Sequence, residues 1–180
     1  EGVTVERDLT YVTVDGKDLK LDVYWQSEQT EPAPLIVWIH GGAWRKGNKA
    51  NPLARSLLAE GYAVASVQYR LSQEAIFPAQ INDCKAAVRW LRSNASRFNI
   101  DPEKFGAWGT SAGGHLVALL GTAGDVVDLA GALDDTEVSS RVQAVCDWFG
   151  PTDFLRMNDI VGKIDHDGWD SPESQLIGTT

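Results

Sequence analysis

The sequence predicts an α/β fold built on a mostly parallel sheet with an antiparallel hairpin at its N-terminus. Three observations carry this. First, 35–40 ("LIVWIH") and 142–150 ("VQAVCDWFG") are apolar runs rich in β-branched residues, the pattern of strands buried on both faces beneath helices. Second, Ile81, Cys84, Val88, Leu91 and Ala95 recur at three- and four-residue spacing, which predicts one long amphipathic helix from Pro78 to Phe98. Third, strand and helix patterns alternate along the chain, the order that builds parallel sheets through crossover helices.

Each element has its own signal. Residues 9–25 ("LTYVTVDGKDLKLDVYW") alternate apolar and polar on both sides of Asp15-Gly16, a tight-turn pair, and predict two antiparallel strands. After a proline-bearing loop comes the 35–40 strand, then the Gly-rich loop "HGGAWRKGN". Pro52–Glu60 reads as helix stopped by Gly61, and 62–70 ("YAVASVQYR") as a strand. Following the long helix, "NIDPE" reads as a turn, "KFGAWG" as a short strand and "AGGHLVALLGTAG" as a helix beginning right after Ser111. The acidic stretch 125–141 is ambiguous, 142–150 is a buried strand, and 152–180 has no strong period. With no repeat, low-complexity tract or linker, the 180 residues form a single domain.

Composition narrows the function. No apolar run reaches the length of a membrane span. The net charge of −9 argues against a nucleic-acid partner, because phosphate would be repelled. The excess is confined to one region: residues 1–123 hold 13 acids and 13 bases, and 124–180 hold 12 acids against 3 bases. An acidic solvated surface accounts for it. Cys84 and Cys146 each lie in an apolar pattern and predict two buried free thiols, with a disulfide between them left open. A chain that begins at Glu1 fits either a cleaved export signal or a trimmed terminus.

The chemistry centres on "WGTSAGGH", Trp108 to His115. A free serine hydroxyl is a poor nucleophile; it needs exposure, a base and donors for the oxyanion it creates. A sharp strand-to-helix turn exposes the serine and admits only small residues two positions to either side, which here are Gly109 and Gly113. The helix that follows aims free N–H groups at the site, Ala112 among them. Upstream, "HGGAW" follows another buried strand, where glycines let the backbone approach a substrate. In such sheets ligands bind at the carboxyl ends of the strands, which selects the loops after Ile39, Trp108 and Trp148.

The stretches "HGGAW", "GTSAGG", "FPAQINDCKAAVRWLR" and "SPESQLIG" resemble the α/β-hydrolase fold, and within it the hormone-sensitive-lipase-like esterases, nearest to the bifunctional feruloyl and acetyl xylan esterase-like group. The resemblance implies Ser111 as nucleophile, the N–H groups of Gly42, Ala43 and Ala112 as oxyanion hole, no cofactor and no metal. It also implies a small-molecule ester or an esterified hemicellulose as substrate. Trp44 would either wall the acyl pocket or cover the edge of the core.

Members of that family carry their catalytic acid and histidine after the nucleophile, in loops that these 180 residues do not contain. The expectation is therefore a C-terminally incomplete α/β-hydrolase domain whose sheet edge is covered by further polypeptide, of the same protein or of another chain. The three histidines have structural readings: His40 braces the oxyanion loop, His115 packs behind the elbow and His166 lies in an exposed polar loop. Asp83 reads as a brace, Asp153 as a helix cap, and Trp148 and Phe149 as core. An alternative reading, appropriate if 180 residues is the whole product, is a non-catalytic α/β module that binds a small ester or a partner protein.

Overall fold

A computed structural model describes residues 2–124, 126, 129, 137–159, 162 and 164–178. The ambiguous stretch 125–141 lies largely outside them. Six strands form one sheet: β1 (Val3–Val14), β2 (Lys17–Gln26), β3 (Ala33–Ile39), β4 (Ala63–Val67), β5 (Ile100–Thr110) and β6 (Ala144–Trp148). Their order is β1-β2-β4-β3-β5-β6. The β1–β2 and β2–β4 pairs are antiparallel, and the rest are parallel. Three α-helices accompany the sheet: α1 (Ala79–Ser93), α2 (Ala112–Thr122) and α3 (Pro172–Ile177). No helix among the described residues is long and apolar enough to cross a membrane.

Local sequence explains most of this. Asp15 and Gly16 both take positive φ (50° and 79°), the backbone of a two-residue hairpin turn matched to strand twist. The hairpin is tied down through Asp22, whose buried carboxylate accepts from Lys49 Nζ at 2.7 Å and from the Asp8 N–H at 2.9 Å. In α1 the residues Ile81, Cys84, Val88 and Leu91 are fully buried against the sheet.

The structure differs from the sequence reading at several places. The long helix stops at Ser93: the N–H and side-chain amide of Asn94 both donate to the Trp90 carbonyl, and a separate 3₁₀ turn, Ala95–Phe98, ends at Asn99 in the left-handed region. The segment Leu53–Glu60 is also 3₁₀, not α. Strand β4 ends at Val67, so Tyr69 and Arg70 leave the sheet. The "NIDPE" turn is absorbed into β5 as an irregularity: Ile100 already pairs with Ala33, and the register shifts before Leu35 meets Phe105. Strand β6 is not buried; all five of its residues are exposed, because it closes the strand order with one flank unpaired by any described residue. Trp148 (43% exposed) and Phe149 (76%) are therefore rim residues, not core. Cys146 on β6 is exposed while Cys84 on α1 is buried, and both thiols are free.

Candidate active site

Strand register assembles the site. Gly109 pairs with Ile39 on one side and Asp147 on the other, so the carboxyl ends of β3, β5 and β6 meet at one point. The next turn places Ser111 at the start of α2 with φ 54° and ψ −121°. That backbone conformation lies far from the left-handed helical well and stores strain of about 1–3 kcal/mol. The surroundings hold it: the Ser111 N–H donates to the Trp148 carbonyl at 2.9 Å, and its carbonyl accepts from the His115 N–H at 3.0 Å. The Ser111 side chain is half-buried, and its hydroxyl makes no hydrogen bond to any described residue.

Both flanking glycines are required by contact. A Cβ on Gly109 would strike the Gly113 backbone, and one on Gly113 would strike the Ile39 carbonyl. The "HGGAW" loop lies directly against this turn, since a Cβ on Gly41 would stand 3.5 Å from Ser111 Cβ. Gly42, Ala43 and Trp44 run through this loop at φ 120°, 55° and 55°. The N–H groups of Gly42, Ala43 and Ala112 donate to no group of the described residues. Three free donors on two abutting loops beside a hydroxyl are what a developing oxyanion needs.

His40 supports the loop from beneath. It is 6% exposed, its Nδ1 lies 2.8 Å from the Gly41 carbonyl, and burial pushes its pKa down. The imidazole stacks on Tyr69 (centroids 4.4 Å, 14° between planes), and the Tyr69 hydroxyl donates to the His40 carbonyl at 3.0 Å. Arg70 is fixed in turn by Asp83: two guanidinium nitrogens and the Arg70 N–H donate to the buried carboxylate at 2.7–3.2 Å. No motif marks Tyr69; its only sequence signal is its place just past the carboxyl end of the strand beside β3.

The remaining candidates separate from Ser111. The His115 ring packs among Trp44, Phe154 and Phe77 (centroids 5.4, 5.2 and 6.5 Å), and burial lowers its pKa to about 4. It is neutral at pH 7. Trp44 does not wall an open pocket: at 1% exposure its ring is enclosed by His115 and Phe154. His166 is not an exposed loop residue; only a fifth of its side chain is accessible, and its Nδ1 lies 3.0 Å from Glu173 Oε2. Asp153 is exposed, and its carbonyl, not its carboxylate, opens the Phe154–Asp159 3₁₀ turn. No histidine is hydrogen-bonded to the Ser111 hydroxyl among the described residues, and no group of three or more His, Cys, Asp or Glu side chains there is placed to hold a metal.

The BD-FAE family matches residues 21–180. The chain belongs to the BD-FAE family. This BD-FAE chain superposes on a truncated form of a carbohydrate esterase from gut microbiota with a TM-score of 0.86 at 39% identity, over 97% of its own length and 65% of that chain. On the bifunctional GH43-CE of Bacteroides eggerthii the TM-score is 0.87 at 39% identity, over 97% of its length and 26% of that chain. It is 38% identical over 106 residues to the carboxylesterase NlhH of Mycobacterium tuberculosis, covering 57% of this chain and 33% of that one. It spans about a third of the length of the curated relatives it matches. The α/β-hydrolase fold expected from the motifs is therefore the fold of its esterase neighbours, of whose chains it covers 65% and 63%.

Proposed function

We propose that the protein is a serine esterase acting on carboxylic esters, either small molecules or the ester groups of hemicellulose. The observation that carries this is the strained elbow: a serine held at φ 54°, its hydroxyl without a partner among the described residues, against a loop whose N–H donors none of those residues claims. Ser111 Oγ attacks the ester carbonyl. The N–H groups of Gly42, Ala43 and Ala112 hold the oxygen as it becomes negative. Collapse of the tetrahedral species expels the alcohol and leaves an acyl-serine, which water then hydrolyses. Similarity to carboxylesterases and carbohydrate esterases favours this over a non-catalytic module.

A base must take the serine proton, and none of the three histidines is arranged to do so. His40 and His115 are buried, with depressed pKa values and ring contacts of their own, and His166 is engaged by Glu173. In the proposed enzyme the histidine and its orienting acid come from polypeptide outside residues 1–180, and that same polypeptide covers β6 and the apolar hollow beside it, bounded by Ile36, Leu57, Trp108 and Trp148. The test is hydrolysis of p-nitrophenyl acetate by the full-length protein and its Ser111→Ala variant. Wild-type turnover with loss of at least 10³-fold in the variant is expected from the scale of nucleophile removal. Retention of most turnover by a folded Ser111→Ala protein contradicts the assignment.

A further inference from the structure

Trp169 stands out on the surface. Tryptophan is among the more buried residue types, yet this one is 76% exposed, with no ring contact and no hydrogen bond among the described residues. Its backbone, in contrast, is well tied. His166 is held by Glu173, and Asn158 bonds both Asp165 and Asp167. The Ser171 N–H donates to the Gly168 carbonyl at 2.9 Å, and its hydroxyl caps α3 through the Ser174 N–H at 3.0 Å. A fixed loop therefore presents a bare indole.

The indole borders an open cleft of about 370 Å³ whose other walls are Ser72, Gln73, Ile76, Ser174, Gln175 and Gly178. None of these side chains is charged. Primary amides and hydroxyls surround one flat apolar surface, a combination suited to a ring with a C–H face and a polar rim. The cleft is also attached to the site. Both the N–H and the hydroxyl of Ser72 donate to the Trp44 carbonyl, and Gln73 Nε2 donates to the Arg45 carbonyl. The Arg45 guanidinium reaches the Asp170 carbonyl at 3.2 Å. Arg45 is two residues past Ala43, so their Cα atoms are at most about 7 Å apart.

We infer that the cleft walled by Trp169, Gln73 and Gln175 is a subsite for a neutral pyranose of the substrate's glycan chain, on the side of Ser111 that the 40–45 loop borders. Trp169 supplies the stacking face, and the amide atoms not engaged by Arg45, Gln73 Oε1 and Gln175 Nε2, bond the sugar hydroxyls. The lining side chains are uncharged, and the nearest charge, the Arg45 guanidinium, is taken up by the Asp170 carbonyl and by Gln175 Oε1. The inference rests on the esterase reading for its orientation but not for the existence of the subsite.

Titration of xylotetraose, which carries no ester, into the full-length Ser111→Ala protein is the test, followed by tryptophan fluorescence and calorimetry. Saturable binding is expected, weakened about tenfold or more by Trp169→Ala and less by Trp169→Phe, the scale of one lost aromatic face. In the active protein, Trp169→Ala should lower kcat/KM for acetylated xylo-oligosaccharide about tenfold relative to that for p-nitrophenyl acetate, through KM. Absence of saturable binding, or equal binding by folded Trp169→Ala, overturns the subsite. If wild type then still hydrolyses p-nitrophenyl acetate, the esterase reading survives that failure; if sugar binds and the acetate is not hydrolysed, the esterase reading fails and the subsite stands.

Discussion

Ser111 is held in a conformation that a free chain would not choose, and the glycines two positions to either side have no room for a side chain. A methyl at Gly113 would overlap the Ile39 carbonyl, and backbone cannot rotate out of the way as a side chain can. Gly113→Ala is therefore expected to destabilise the protein by about 1–3 kcal/mol, read from the urea midpoint, and to cut Ser111 reactivity in whatever fraction still folds. A variant as stable and as reactive as wild type would show that the elbow tolerates the contact. This residue-scale logic is legible in sequence because the serine, its two glycines and the following helix are adjacent in the chain. Trp44 was not legible in that way. An indole beside a Gly-rich loop can turn toward substrate or core, and only packing against His115 and Phe154, which come from distant segments, decides it.

At the scale of elements, the "HGGAW" loop, which we propose as part of the oxyanion hole, is braced by the segment that leaves β4. The chain turns out of the sheet at Gln68, Tyr69 stacks on His40, and Arg70 is clamped to α1 by Asp83. The Asp83 carboxylate raises the Arg70 pKa through direct hydrogen bonds. Removing the carboxylate leaves a largely buried guanidinium unpaired, so Asp83→Ala is expected to cost about 3 kcal/mol in denaturant unfolding. His115 gives a pH dependence. Burial lowers its pKa from 6.5 to about 4, so the unfolded chain binds a proton that the folded one refuses. Its contribution is complete above pH 6.5 and is lost as pH falls toward 4, amounting to up to about 3 kcal/mol. Burial lowers the His40 pKa as well, so it too loses stability as pH falls below 6.5. Unfolding measured from pH 7 to pH 4 should show a shallower decline in His115→Phe than in wild type; parallel curves would refute the assignment. The existence of the strands and the buried face of α1 are legible in periodicity; the strand order is not, because it depends on which distant segments pair. The early end of α1 was not, because it depends on how one asparagine uses its side-chain amide.

Across the whole molecule, the sheet is well covered at β2 through β5 and open at β6. Val145, Trp148 and Phe149 are exposed along one edge, and an apolar hollow of about 320 Å³ lies beside them. An unpaired parallel strand with apolar faces is a pairing hazard. Residues 1–180 expressed alone are thus expected to self-associate, as measured by light scattering, with lysine at Val145 reducing the association; a monomer at all concentrations would contradict this. The sequence marks 142–150 as a buried strand because its composition suits burial, and the structure exposes it because nothing among the described residues lies beyond it. Ser111 Oγ is tested by treating the full-length protein with a fluorophosphonate and mapping the adduct by tandem mass spectrometry. One phosphonyl group is expected, on Ser111, absent from Ser111→Ala. An adduct on another residue, or undiminished labelling of the alanine variant, would contradict it.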